Sequence, residues 1–290
     1  MEWLFIYYFV VFYLGTILGS FINVIALDLQ KLYQENNLAE RNELGFLARH
    51  ISKRYFWKSL MERRSRCDSC GATLRPYELF PIFSYALQRG VCRSCGDKIA
   101  ESHMVIEIVA GVYFLGIFYV LFWQEAVWTW AFVGSVAFWF VVFGSLLVSA
   151  LFDYRTKLLP DVTLYLAGIL ILGYQIVMYG IGAWWYLGAG ILLALFFWSL
   201  WAISRGAWIG FADGKLGLIA GLLLGYSAGF TAIAIAFWTG AVVAIILLSI
   251  QKIAHKHWGI GIKSAVPFGP FLVMGIWYVF VTGTNLFVLV

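Results

Sequence analysis

The sequence predicts an all-α polytopic membrane protein of about eight transmembrane helices, with a small polar domain inserted after the first. Three observations predict it. Of 290 residues, 62% are apolar and only 12% charged, about half the charged share of a soluble domain, and no soluble globule of this length hides so much apolar surface. Apolar runs long enough to cross a bilayer recur along the chain. Finally, thirteen of the 20 Lys and Arg lie between Lys31 and Lys98, an interval with no such run. The chain therefore divides into a first transmembrane helix (1–27), a polar domain (28–103) and a seven-helix membrane bundle (104–290).

The first span, Trp3 to about Leu27, follows Glu2 rather than a basic start and has no small-residue cleavage site. It is expected to be a retained span, not a signal peptide. Gly15 and Gly19 are spaced for close helix contact, and Ser20 and Asn23 follow. Two readings stand: helix packing with polar glue, or a place for Ser20 and Asn23 beside a site near the cytosolic end.

The polar domain has two parts. Asp28–Arg66 is basic and amphipathic, with Leu44, Phe46, Leu47, Ile51, Tyr55, Phe56 and Leu60 at helical spacing. Such a face suits anionic lipid, the rest of the domain, or simply solvent opposite it. The second part carries Cys67-Asp-Ser-Cys70-Gly and Cys92-Arg-Ser-Cys95-Gly. Each pair can turn two thiolates toward one ion, and four sulfurs make the tetrahedral site that zinc favours. Two disulfides or a redox dithiol are the alternatives, and a cytosolic location disfavours stable disulfides. The expectation is a cytosolic zinc-knuckle domain in which Cys67, Cys70, Cys92 and Cys95 hold a structural ion that folds it.

Further spans are expected at about 104–122, 127–151, 162–179, 184–203, 215–226, 229–250 and 267–288. The span at 215–226 is short, only about 18 Å as helix. Its Gly217, Gly221 and Gly225 recur every fourth residue, a stripe for close packing. With eight spans, loops 152–161, 204–214 and 251–266 share a side with the polar domain, and all 20 basic residues fall on that face. The positive-inside rule then puts that face in the cytosol and both termini outside. The net charge of +5 belongs to this face and is no sign of nucleic-acid binding.

The same topology brings Asp153 and Asp213 to one membrane boundary. Asp153 lies in Leu151–Asp161, between two spans, and Asp213 ends a glycine-containing turn, Trp208–Lys215. Acids at the edge of a membrane core are costly and usually have a task. Two aspartates in hydrogen-bond reach do not easily both ionise, the division of labour by which aspartic proteases activate water and protonate a leaving amine. The competing reading is ion pairing with Lys215, Arg155 or Lys157.

Separate motifs now align in order: Gly19-Ser-Phe-Ile-Asn-Val24; Arg64-Ser-Arg-Cys67 with the two knuckles; Phe80-Pro-Ile-Phe-Ser-Tyr85; Glu107; Asp153 with Pro160-Asp161; Asp213-Gly-Lys-Leu216; and Pro267-Phe-Gly-Pro270. In these the sequence resembles the type IV prepilin leader peptidases, integral-membrane aspartic proteases of the bacterial inner membrane. The resemblance implies that Asp153 and Asp213 are the catalytic pair, with Asp161 the competitor to Asp153. Gly19, Asn23, Glu107, Asp161 and Lys215 become candidates for substrate or supporting contacts. It implies hydrolysis of one peptide bond in a prepilin or pseudopilin, after a glycine that ends a short basic leader. It also implies methylation of the new N-terminus with S-adenosylmethionine, although no glycine-rich loop for that cofactor is visible. The sequence departs from the family at Ala212, where a second glycine is usual, and at Asp68, where many relatives have proline. A transporter and a non-catalytic zinc-bearing scaffold of pilus or secretion machinery are the rival readings; no internal repeat supports the first.

Overall fold

The computed structural model describes residues 2–41, 67, 69–125, 129–253 and 267–287. In order they form α1 (Glu2–Arg41), a 3-10 turn (Pro76–Leu79), α2 (Phe83–Leu87), α3 (Glu101–Glu125), α4 (Trp130–Thr156) and α5 (Asp161–Tyr179). A second 3-10 turn (Gly180–Gly182), α6 (Ala183–Ser204), α7 (Asp213–Ile253) and α8 (Gly269–Thr282) follow. The protein is all-helical among the described residues, with one isolated antiparallel bridge between Val91 and Lys98.

Five described segments are long and apolar enough to cross a membrane: Phe5–Lys31, Glu101–Trp123, Trp130–Thr156, Asp161–Ser204 and Asp213–Ile250. The fourth contains two helices, α5 and α6, and the fifth is broken inside α7 at Gly225. α8 is apolar but only 14 residues long. Each range expected to span therefore contains helix.

The chain divides into two compact units, Met1–Gln124 and Glu125–Val290. In the first, α1 packs on α3 at small residues. A Cβ on Gly19 would lie 2.3 Å from that of Ala110, and one on Gly15 would lie 3.0 Å from Gly111 Cα. α1 continues to Arg41, well past the expected end near Leu27. Residues 28–41 contain no glycine or proline and are rich in Leu, Gln and Glu, so nothing local stops the helix. The expected amphipathic face from Leu44 to Leu60, Asp68, and the basic residues Lys256 and Lys263 lie outside the described residues.

In the second unit, α6 and the first half of α7 meet almost backbone to backbone. A Cβ on Gly221 would lie 2.4 Å from Gly190 N, and one on Gly217 would lie 2.7 Å from the Phe197 ring. Gly225 does not extend this stripe. It has φ 80° and ψ −167°, a conformation open essentially to glycine alone, and it breaks α7. Four-residue spacing showed two contact glycines correctly and misread the third, which ends the first half of the helix.

Candidate active site

Asp153 is in the last turn of α4. That helix carries Ser145, Ser149 and Asp153 at four-residue intervals, all buried, on one polar stripe of an apolar helix. Ser149 Oγ bonds Ser145 O at 3.0 Å and Thr163 Oγ1 at 2.7 Å; Thr163 Oγ1 donates back to Pro160 O. These bonds tie the end of α4 to the start of α5. Lys157 stops α4 in the left-handed region (φ 58°), donating its N–H to Asp153 O at 2.8 Å. Pro160 then caps α5 from outside, which explains the six residues between Asp153 and the Pro160-Asp161 pair.

The Asp153 carboxyl is 6% exposed, and its Oδ2 accepts the Gly269 N–H at 2.8 Å. Gly269 is the first residue of α8, so the carboxyl is held at a helix N-terminus, where free N–H groups and the helix dipole favour an anion. A Cβ at Gly269 would lie 2.6 Å from Asp153 Oδ2 and 3.2 Å from Leu159 Cδ2. Only glycine leaves room for this carboxyl.

Asp213 opens α7 and is 7% exposed. Its Oδ2 accepts the Gly210 N–H at 2.9 Å while its own N–H donates to Gly210 O at 3.2 Å, closing the turn on itself. Two tryptophans of α6 hold that turn. Trp198 donates to Phe211 O at 3.1 Å and stacks on its ring, and Trp201 meets the same ring edge-on. Ala212, the departure from the family pattern, is not among the positive-φ residues. Its backbone therefore does not require glycine.

The two carboxyls are within Coulombic range of one another. Each spends one oxygen on a backbone N–H; among the described residues nothing hydrogen-bonds the other. Asp161 differs. It is 55% exposed and forms an ion pair with Lys215, whose ammonium also lies 5.4 Å from the centre of the Tyr165 ring. Among the described residues Lys215 thus pairs with Asp161 and with neither buried aspartate.

Residues 13–121 match the bacterial peptidase A24 N-terminal domain and residues 140–245 the type IV leader peptidase family. The chain is 31% identical over 279 residues to a prepilin leader peptidase/N-methyltransferase of Burkholderia pseudomallei, covering 90% of this chain and 81% of that one. It belongs to the type IV leader peptidase family. Further members it resembles come from Neisseria gonorrhoeae (28% over 284 residues, 92% and 87% covered) and Pseudomonas aeruginosa (26% over 282 residues, 94% and 89% covered). No solved structure matches the chain. Membership makes peptide-bond hydrolysis the reaction class and does not favour the transporter and scaffold readings.

The remaining candidates of this family member lie in the first unit. Cys67, Cys70, Cys92 and Cys95 converge, their sulfurs all within 4.8 Å of one another. Both knuckles have the same form: Gly71 and Gly96 take positive φ and return their N–H groups to Cys67 O and Cys92 O at 2.9 and 2.8 Å. The Cys67–Cys95 sulfur separation is 3.9 Å, against about 3.8 Å for an edge of a tetrahedron with zinc–sulfur bonds of ~2.3 Å. The N–H groups of Cys95 and Ser94 hold the Cys92 thiol down to about 7, while burial and hydrogen bonds to the other sulfurs push the Cys95 thiol up. Asn23 Nδ2 bonds His103 Nδ1 at 2.9 Å, and Glu107 Oε2 accepts the Ile82 N–H at 2.9 Å. Gly19, Asn23 and Glu107 therefore each make a contact within their own unit.

Sequence reasoning missed Gly269, Ser149 and Thr163 as supports of Asp153. The Gly-Pro step in Pro267-Phe-Gly-Pro270 was the available signal for Gly269, because proline at the second position announces a helix start with free N–H groups.

Proposed function

We propose that Asp153 and Asp213 are the catalytic pair of a membrane aspartic endopeptidase that removes the basic leader of prepilins or pseudopilins after a glycine. The observation that carries this is the matched placement of two buried carboxyls. Each is pinned by a glycine N–H, the two lie within Coulombic range, and Asp161 is separately neutralised.

In the reaction one carboxyl is ionised and the other protonated. The ionised group takes a proton from water as the water oxygen bonds to the scissile carbonyl carbon, and the protonated group gives its proton to the carbonyl oxygen. On collapse of the tetrahedral intermediate the carboxyl that took the water's proton gives it to the leaving amine, the C–N bond breaks, and a hydroxyl proton returns to the other carboxylate, restoring the starting pair. The fixed Oδ2 atoms orient both groups, leaving the Oδ1 atoms for water and substrate.

The charge map supports eight crossings, with loops 152–161 and 204–214 in the cytosol and both termini outside. A substrate whose apolar helix lies in the bilayer then presents its leader at the boundary where Asp153 ends α4 and Asp213 begins α7. The four-sulfur cluster suits zinc, which when bound would supply cross-linking to a domain too small to fold on its core alone. Methylation of the new N-terminus with S-adenosylmethionine follows the two-part name that the relatives carry; no residue of this chain is assigned to it.

The test is prepilin cleavage in membranes by Asp153→Asn and Asp213→Asn variants that insert normally. Each is expected to lose roughly 1,000-fold in rate, the scale on which a positioned acid or base acts. Undiminished cleavage by either variant rejects the pair. Metal analysis of the purified protein should find one zinc per chain, reduced in Cys92→Ser.

A further inference from the structure

The knuckle region of the first unit exposes an apolar patch that its own packing does not explain. Leu79, Phe80, Phe83 and Leu87 are 46, 53, 53 and 76% exposed. Phe80, Phe83 and Leu87, with Tyr77 and Arg93, line a shallow cavity of about 190 Å³. A patch of large apolar side chains on a polar domain marks an interaction surface.

Two contacts fix how deep this patch sits. The Phe83 ring lies 6.0 Å from that of Tyr13, which belongs to the membrane-capable length Phe5–Lys31 of α1. The Ile82 N–H is held by Glu107 on α3, six residues and roughly 9 Å of rise beyond Glu101, where that apolar length begins. Segment 79–87 thus runs beside the apolar lengths of α1 and α3 rather than above them. Ile82 pays for this position with a strained backbone: φ 63° and ψ −53° at a β-branched residue, closed into a γ-turn by Phe83 N–H donating to Pro81 O at 2.6 Å. Such a turn persists where its surroundings dictate it, and the Glu107 carboxylate does so here.

Cations rim the patch. Arg75, Arg89 and Arg93 are exposed, and the guanidinium groups of Arg75 and Arg93 lie 6.0 and 5.1 Å from the centre of the Tyr77 ring, each bonded to its hydroxyl. Glu78, half-buried, is engaged by the backbone, its Oε2 accepting the Arg75 N–H at 2.7 Å.

We infer that Leu79–Leu87 dips into the bilayer: Phe80, Phe83 and Leu87 lie among acyl chains, and Arg75, Arg89 and Arg93 bind the phosphates of anionic phospholipid. Bilayer is the occupant because the patch continues the apolar surfaces of two spans and carries the charge that anionic headgroups seek. The dip moors the cysteine knuckles to the membrane surface through Glu107. This inference rests on α1 and α3 being membrane spans, and it is independent of the roles of Asp153 and Asp213.

The experiment uses the full chain in nanodiscs of phosphatidylcholine alone or mixed with phosphatidylglycerol. A benzophenone amino acid is placed at Leu87 or Phe80, both largely exposed, and at exposed Thr73 as reference. After irradiation, mass spectrometry should find phospholipid adducts at 87 and 80 and several times fewer at 73. In mixed discs phosphatidylglycerol should be over-represented in the adducts, and this preference should vanish in an R75Q/R89Q/R93Q variant. Adducts at 87 no more frequent than at 73, or adducts to protein only, overturn the dip. Absence of a phosphatidylglycerol preference overturns the arginine contacts. Loss of prepilin cleavage with lipid adducts intact bears on the proposed reaction and leaves this inference standing.

Discussion

Asp153 and Asp213 are held by the same kind of bond made in opposite ways. Asp213 takes its N–H from Gly210, three residues back in the same turn, whereas Asp153 takes its N–H from Gly269, 116 residues away on another helix. One carboxyl is oriented by a local turn and the other by tertiary packing. The difference teaches where each is vulnerable. Changes in how α8 seats should reach Asp153 and spare Asp213, and changes in the loop before α7 should do the reverse.

The largest break in that comparison after the aspartates themselves is Gly269→Ala. The added Cβ would fall 2.6 Å from Asp153 Oδ2 and 3.2 Å from Leu159 Cδ2, so α8 or the carboxyl must move. Overpacking of this kind costs about 1–3 kcal/mol in stability, and displacement of a reacting group can slow a reaction by up to about 100-fold. Prepilin cleavage kinetics beside a thermal melt in detergent would read both. A rate within about twofold of wild type, a change worth under ~0.5 kcal/mol, would remove Gly269 as the support of Asp153. Gly210→Ala sharpens the other side. Its Cβ would lie 3.2 Å from Asp213 Oδ2, a contact that a few tenths of an ångström relieve. The same assay should show a loss of roughly threefold to tenfold, about 1 kcal/mol in barrier.

This asymmetry also marks what the sequence could disclose. Asp213 and its turn were legible because glycine, aspartate and the helix start lie within a few residues. The helical class, and helix within each range expected to span, were legible because apolar runs are a one-dimensional signal. The Gly269 contact was not, since no local pattern encodes which distant helix N-terminus will meet the end of α4. Gly225 misled for a related reason. Four-residue spacing is equally compatible with a packing stripe and with a helix end, and only the φ of 80° separates them. Asp161 and Asp153 could not be told apart by spacing either; burial and the Lys215 ion pair distinguish them.

Asp161→Asn tests that distinction with a smaller effect. The pair with Lys215 is exposed on the Asp161 side, and exposed pairs contribute about 0.2–1 kcal/mol. Cleavage should stay within about threefold of wild type, since the charge lost is not one that either buried carboxyl uses. If cleavage instead falls as far as in Asp153→Asn, the first catalytic carboxyl has been misassigned and the contrast between the two corners collapses.

The smallest expected effect is at Ala212, where the chain departs from the glycine usual in its family. If the turn before Asp213 needed glycine, Ala212→Gly would relieve strain and raise both stability and rate. The backbone argues the opposite. Ala212 has no positive φ; the turn is closed by Gly210 and clamped by Trp198 and Trp201, and residue 212 adds a backbone carbonyl that accepts the Lys215 N–H at 3.0 Å, which glycine would supply equally. Introducing glycine then only widens the unfolded ensemble, a loss of about 0.5–1 kcal/mol in stability. Cleavage should be unchanged, because the Asp213 Oδ2 bond to Gly210 N–H does not pass through residue 212. A faster, more stable Ala212→Gly enzyme would mean that the local corner is strained after all, and that Asp213 is held less securely than Asp153.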